Sequence, residues 1–219
     1  MHKLYYGPGA CSFVPHAALE AITAATGDDF ETQVVRLHKN EQAAPEFLAL
    51  NPNGQVPVLV VDGKPLTQIV AICDYLDRRY PQMGLMPLDP WQRAEAMSLL
   101  AWMNNSVHPT FTHVFMPQKF SDNSEAQAAL KRFNVGAYRA LLARIQGMIT
   151  LADPWLLGEK LSFLDIYAVV LFRWVGLAGI DPDTVPAFKA FVDRAAAVPA
   201  VAAALAREGA ALDMYRKAA

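Results

Sequence analysis

Cysteine is scarce in this chain: its 219 residues include two, Cys11 and Cys73. Two thiols cannot build a disulfide framework, and they fit a reducing compartment. The CxxC spacing is missing as well, because Val14 stands three residues after Cys11. A thioredoxin-style dithiol cycle is therefore excluded, and single-thiol chemistry is left. An excess of either charge is also lacking. The 19 Lys and Arg against 21 Asp and Glu leave a net charge of -2, which offers no electrostatic case for a nucleic-acid or anionic membrane partner. No apolar run approaches the ~20 residues of a membrane span. The opening Met1-His2-Lys3-Leu4-Tyr5-Tyr6 lacks the apolar stretch of an export leader, so a cytoplasmic location is expected. The five histidines form no HxxxH-plus-acid set, so no metal is expected. What is plentiful is apolar: 53% of residues are hydrophobic, ample for one large or two small domains at roughly 100–200 residues each.

The chain has two halves with different patterning. Over residues 1–80 short strands alternate with helices. Lys3 to Tyr6 reads as a strand, Gly7-Pro8-Gly9 as a turn, and Ser12 to Ala25 as a helix with Val14, Ala18 and Ile22 at helical spacing and Gly27 as its stop. Thr32 to Leu37 reads as a second strand and Pro45 to Ala49 as a short helix. Gln55 to Val61 reads as a third strand, turned at Asp62-Gly63 into a short fourth near Pro65-Leu66. Thr67 is expected to cap a helix running to about Arg79. This order implies a small mixed sheet, its first two strands parallel across a helix and its last two an antiparallel hairpin. Residues 81–90, with Pro81, Gly84, Pro87 and Pro90, read as a linker. Residues 91–219 are patterned as helices throughout: Trp91 to Phe115, Ser124 to Thr150, Phe163 to Ala178, Pro186 to Ala197 and Pro199 to Arg207.

Five segments stand out, four of them as candidates for chemistry. Cys11 stands where the first strand turns into a helix, among free backbone N–H groups at the positive end of the helix dipole. Such a place lowers a thiol's pKa or holds an anion; an unreactive turn residue is the equally weighted alternative. In Gln55-Val56-Pro57, a cis bond before Pro57 would expose the backbone of Val56 to an extended peptide ligand. An ordinary trans proline is the commoner case, since cis accounts for ~5–6% of X–Pro bonds. Thr67-Gln68-Ile69 opens a helix whose free amides suit a carboxylate, with the Gln68 amide as a further donor, although a plain cap explains the same residues. His108 precedes Pro109, which disfavours helical geometry at His108 and would kink the chain to aim the imidazole at a cleft; a structural histidine is the commoner alternative. Leu161-Ser162-Phe163-Leu164-Asp165-Ile166 reads as a capping box with a hydrophobic staple, a folding element rather than a chemical one.

Together these segments resemble the cytosolic glutathione transferases, and the bacterial beta class in particular, over nearly the whole chain. The resemblance rests on Lys3 to Ser12 with Pro15-His16, on Asn51 to Leu59, on Leu66 to Ile72, and on Gly158 with Ser162 to Asp165. It implies an α/β thioredoxin-like N-terminal domain and an all-α helical C-terminal domain, with glutathione as co-substrate and a homodimer as the assembly. It implies that Cys11 contacts the glutathione sulfur and that Gln55-Val56-Pro57 forms a cis-proline loop in which the Val56 backbone pairs with the cysteinyl unit. Gln68 and the Ile69 amide would hold the γ-glutamyl end, Lys39 the glycyl carboxylate, and His108 would line the cleft near the sulfur. Ile69 departs from the glycine or serine usual there; it has no hydroxyl and is expected to crowd the carboxylate pocket.

The activity that follows is conjugation of the glutathione thiolate to small hydrophobic electrophiles, with Phe111, Phe115, Met116, Phe120 and Trp174 as wall residues that core packing would equally explain. Glutathione-dependent thiol–disulfide exchange through Cys11 and a non-catalytic binding protein of the same fold are the rival readings.

Overall fold

In the computed structural model, residues 1–215 are described; residues 216–219, the end of the helical segment expected over 91–219, lie outside the described residues. Four strands form one mixed sheet in the order β2-β1-β3-β4. β1 (His2–Tyr6) pairs in parallel with β2 (Phe30–Val34), with Leu4 opposite Thr32. Its other edge pairs antiparallel with β3 (Val58–Val61), which turns at Asp62-Gly63 into β4 (Lys64–Thr67). Both turn residues have positive φ, 48° at Asp62 and 80° at Gly63, the geometry of a tight type I′ hairpin.

Two strands are shorter than expected. β2 ends at Val34 because Leu37–Lys39 curls into a 3₁₀ turn closed by Asn40 at φ 59°. β3 begins only at Val58 because Pro57 has no N–H to give the ladder. Thr67 is the last residue of β4, paired with Val58, and does not cap the next helix; Gln68 holds that position at φ 71°.

Helix α1 (Phe13–Thr26) runs from the first strand to Gly27, whose φ of 75° ends it in the left-handed conformation that glycine tolerates. A single turn, α2 (Pro45–Leu48), and α3 (Ile69–Arg79) complete the sheet-bearing half. Then come α4 (Pro90–Trp102), α5 (His108–Phe115), α6 (Ser124–Ile149), α7 (Phe163–Leu177), α8 (Pro186–Ala196) and α9 (Pro199–Glu208). α7 is buried almost all round, from Phe163 to Val175, which marks it as the central helix of its half. α1 packs against both α7 and α9, so one apolar core joins the two halves.

The capping box at the start of α7 forms as expected. The Asp165 carboxylate accepts from the Ser162 amide at 2.7 Å and the Ser162 hydroxyl at 2.6 Å, and additionally from the Leu156 amide at 2.8 Å.

Candidate active site

The loop from Gly7 to Cys11 is held at every turn. The Ser12 hydroxyl donates to the Gly7 carbonyl and accepts from the Gly7 amide, at 3.2 and 3.1 Å. Gly9 sits at φ 68°, and a side chain there would run into the Arg173 guanidinium. Its amide donates to Glu208 at 2.7 Å, and its carbonyl accepts from Trp174 Nε1 at 3.1 Å and Arg173 Nη1 at 3.2 Å. Glu208, at the end of α9, uses its other oxygen on His16 Nδ1 of α1 at 2.7 Å. Residues far apart in sequence thus set the shape of the loop that presents Cys11. Sequence reasoning missed Glu208 and Arg173 because their contacts span 164 to 199 positions and leave no local spacing to read.

Cys11 is 8% exposed, and its Sγ lies 3.6 Å from the Val56 carbonyl, to which the thiol donates. The expected lowering of its pKa does not occur: burial pushes the thiol up to about 12, outweighing the Cys11 and Ser12 amides that pull it down, and the Glu208 charge adds to the rise. The amides at the helix start do act as the dipole argument requires, but desolvation wins. Cys11 is thus a neutral hydrogen-bond donor.

The Val56–Pro57 bond is cis. Val56 packs at Gly7 beside Leu37, and Leu37 opens the turn that carries Lys39. Lys39 itself is exposed. The Gln55 carbonyl accepts from the Asn51 side-chain amide at 2.7 Å, which fixes the approach to the loop. Gln68 follows Thr67 and is therefore brought beside Pro57 by the Val58–Thr67 pairing. Its side chain is exposed at the start of α3. Ile69, by contrast, is 3% exposed and packs in the core.

His108 is helical, with φ -60° and ψ -49°, and is not pulled out of line by Pro109. The reason is the turn before it: Met103–Val107 widens into a π-type turn, with the His108 amide bonded to Met103, which makes room for the proline ring. His108 Nδ1 lies 3.0 Å from the Tyr167 hydroxyl, and its ring packs 4.7 Å from that of Trp174, the side chain that holds Gly9. Burial, with a smaller push from Lys119, lowers the imidazole to about 4. Of the apolar wall candidates, Trp174 and Phe111 are buried and stacked 4.5 Å apart, and Phe115 continues the stack at 5.5 Å with half its surface exposed. Phe120, also half exposed, covers His113 at 4.1 Å.

A separate open groove of about 600 Å³ runs along α3 and α4 and shares only Gln68 with the expected site residues. Asp74 and Arg93 line it and pair with each other at 2.6 Å. Among the described residues no helix is long and apolar enough to cross a membrane.

Comparison with known proteins places this arrangement. Residues 2–78 match the family described as Glutathione S-transferase, N-terminal domain, and residues 103–199 match Glutathione S-transferase, C-terminal domain. The chain is 35% identical over 211 residues to glutathione S-transferase GST-4.5 of Xanthomonas campestris, covering 94% of this chain and 98% of that one. It is similar to the structure of a glutathione transferase homolog from Sulfitobacter with bound glutathione, at TM-score 0.85 and 27% identity, over 96% of this chain and 99% of that one. It is similar also to the bacterial beta-class glutathione S-transferase of Sphingomonas chungbukensis, at TM-score 0.81 and 32% identity, over 95% of this chain and all of that one.

Proposed function

The chain belongs to the cytosolic glutathione S-transferase family, and from that premise we propose that it is a cytoplasmic enzyme joining the sulfur of glutathione to small hydrophobic electrophiles. Residues 1–80 would bind glutathione, and residues 91–219 would supply the wall for the electrophile. The observation that carries this reading is the Cys11 thiol resting on the Val56 carbonyl at 3.6 Å. An extended tripeptide laid along Val56 would give that carbonyl an amide N–H instead. The displaced Cys11 S–H would then turn to the glutathione sulfur and stabilise it as a thiolate through a hydrogen bond. Cys11 acts here as a donor, which needs a protonated thiol, and burial keeps it protonated. Gln68 and the Ile69 amide would hold the γ-glutamyl end, and Lys39, on its exposed turn, the glycyl carboxylate.

The same burial weighs against disulfide exchange through Cys11, since exchange needs a reachable thiolate. The direct test is to incubate the protein with glutathione and a chloronitrobenzene and follow the conjugate. Absence of any glutathione-dependent product across a panel of electrophiles and disulfides would refute the reading, and calorimetry showing no glutathione binding at millimolar concentration would leave only a non-catalytic role.

A homodimer is part of the proposal. Leu88 and Trp91, 80% and 73% exposed, lie within two residues of Pro90, where α4 begins. Large apolar side chains left this exposed are candidates for an interaction surface. Sedimentation of Trp91→Glu should show a shift toward monomer relative to the unaltered chain.

A further inference from the structure

The hydrogen bonds around His108 specify more than its position. The Tyr167 hydroxyl has one proton, and it donates that proton to Asn104 Oδ1 at 3.2 Å. Asn104 is held in that orientation because its own amide donates to Asn105 Oδ1 at 2.8 Å. With its proton committed to Asn104, the Tyr167 oxygen can only accept at its contact with His108 Nδ1, 3.0 Å away. The proton of the neutral ring is then on Nδ1, and Nε2 carries a lone pair. Had Tyr167 donated to His108 instead, the Asn104 carbonyl would lose its donor and Nε2 would carry the hydrogen.

We propose that Tyr167 and Asn104 are positioning residues that hold His108 in the Nδ1–H form, so that its Nε2 accepts the proton of the glutathione thiol. The proposal rests on the reading of His108 as a wall of the sulfur site. In the step it describes, the S–H proton forms an N–H bond at Nε2 and the S–H electron pair stays on sulfur as the thiolate. A thiolate electron pair then forms the S–C bond at the electrophilic carbon, and the leaving group departs with the electrons of its own bond. The imidazolium then returns its proton to the leaving group or to water. The burial that keeps the resting ring neutral keeps that lone pair free across the physiological range.

Cys11 and His108 thereby take opposite parts: one gives a hydrogen bond to the sulfur and the other takes its proton. The His108 ring rests on Trp174, which grips the loop two residues before Cys11.

Nitrogen-15 NMR of the imidazole side chains reads the tautomer directly, with His108 assigned by its loss in His108→Ala. The expected spectrum has His108 protonated at Nδ1; protonation at Nε2 in the unaltered protein overturns the relay. Tyr167→Phe removes the acceptor, and a mixture of tautomers should appear. Turnover with glutathione and 1-chloro-2,4-dinitrobenzene should fall about tenfold, a modest part of what a positioned base contributes, with the KM for glutathione within about twofold. Asn104→Leu frees the tyrosine proton to turn toward His108, so the Nε2–H form should dominate and turnover should fall further. Unchanged tautomers in both variants, or equal losses in turnover and thermal midpoint with no tautomer change, reduce the two residues to packing and overturn the proposal. His108→Ala with full turnover refutes the catalytic reading of His108 on which the proposal rests, and it does so whichever tautomer the spectrum shows.

Discussion

At the scale of single residues, burial decides more than sequence position does. Cys11 occupies a place where helix geometry favours a thiolate, yet it is a protonated thiol because the surrounding core removes water from it. Alkylation by iodoacetamide at pH 8 followed by mass spectrometry should therefore leave Cys11 unmodified in the native protein, and modify it readily in urea. Rapid stoichiometric labelling of the native protein would contradict the buried donor role. Gln68 offers a second test. Its φ of 71° is costly for a residue with a side chain, by about 1–3 kcal/mol, and glycine adopts it freely at a chain-entropy cost of about 0.5–1 kcal/mol. Gln68→Gly should thus leave the thermal midpoint unchanged or raised, while calorimetry shows glutathione affinity weaker by about 1.5–3 kcal/mol, one hydrogen bond to a charged group. A fall in both would mean that Gln68 serves the fold. Such strain at an exposed residue, kept beside the Val56–Pro57 loop, is the pattern of a position retained for binding.

At the scale of elements, what was legible in the sequence was what local chemistry encodes. β1, the stop of α1 at Gly27, the Asp62-Gly63 hairpin and the Ser162–Asp165 box are each written within a few consecutive residues, and each is found in the structure. The ends of β2 and β3 and the cap of α3 were misplaced, because a 3₁₀ turn and a left-handed glutamine have no strong signature in composition. His108 was read as kinked because the accommodating π-type turn lies upstream of the proline that suggests the kink. The ties from α9 and α7 to Gly9 could not be read at all, since nothing near Gly9 refers to Glu208 or Trp174. The weight of that tie can be measured. Glu208→Ala leaves the Gly9 amide and the buried His16 without their acceptor, and urea unfolding should report a loss of about 3 kcal/mol, the scale of breaking a buried pair. Faster alkylation of Cys11 should accompany it; lost stability with no change at Cys11 would separate α9 from the site.

For the molecule as a whole, His108 and Cys11 each make stability depend on pH. His108 in the unfolded chain takes a proton near its ordinary 6.5, whereas in the folded protein it resists until about 4. Acid thus favours the unfolded chain, and this contribution is complete above pH 6.5 and lost as pH falls toward 4. Cys11 works at the other end: unfolded, it ionises near 9.0, while folded it keeps its proton to about 12. Its contribution is complete below pH 9 and lost as pH rises toward 12. Urea midpoints measured from pH 4 to 10 should form a plateau between these limits, with the acid slope reduced in His108→Asn and the alkaline slope reduced in Cys11→Ala. An acid slope identical in the unaltered protein and His108→Asn would mean that carboxylates alone set it.

The grip of Glu208 on Gly9 also orders events in time. During synthesis the first strand and the cysteine loop leave the ribosome roughly two hundred residues before the glutamate that secures them. Long-range closures of this kind come late in folding. A nascent chain, or one cut short by a premature stop, would display an unguarded sulfhydryl to oxidants and alkylating agents, the class of compounds that the finished enzyme is proposed to consume.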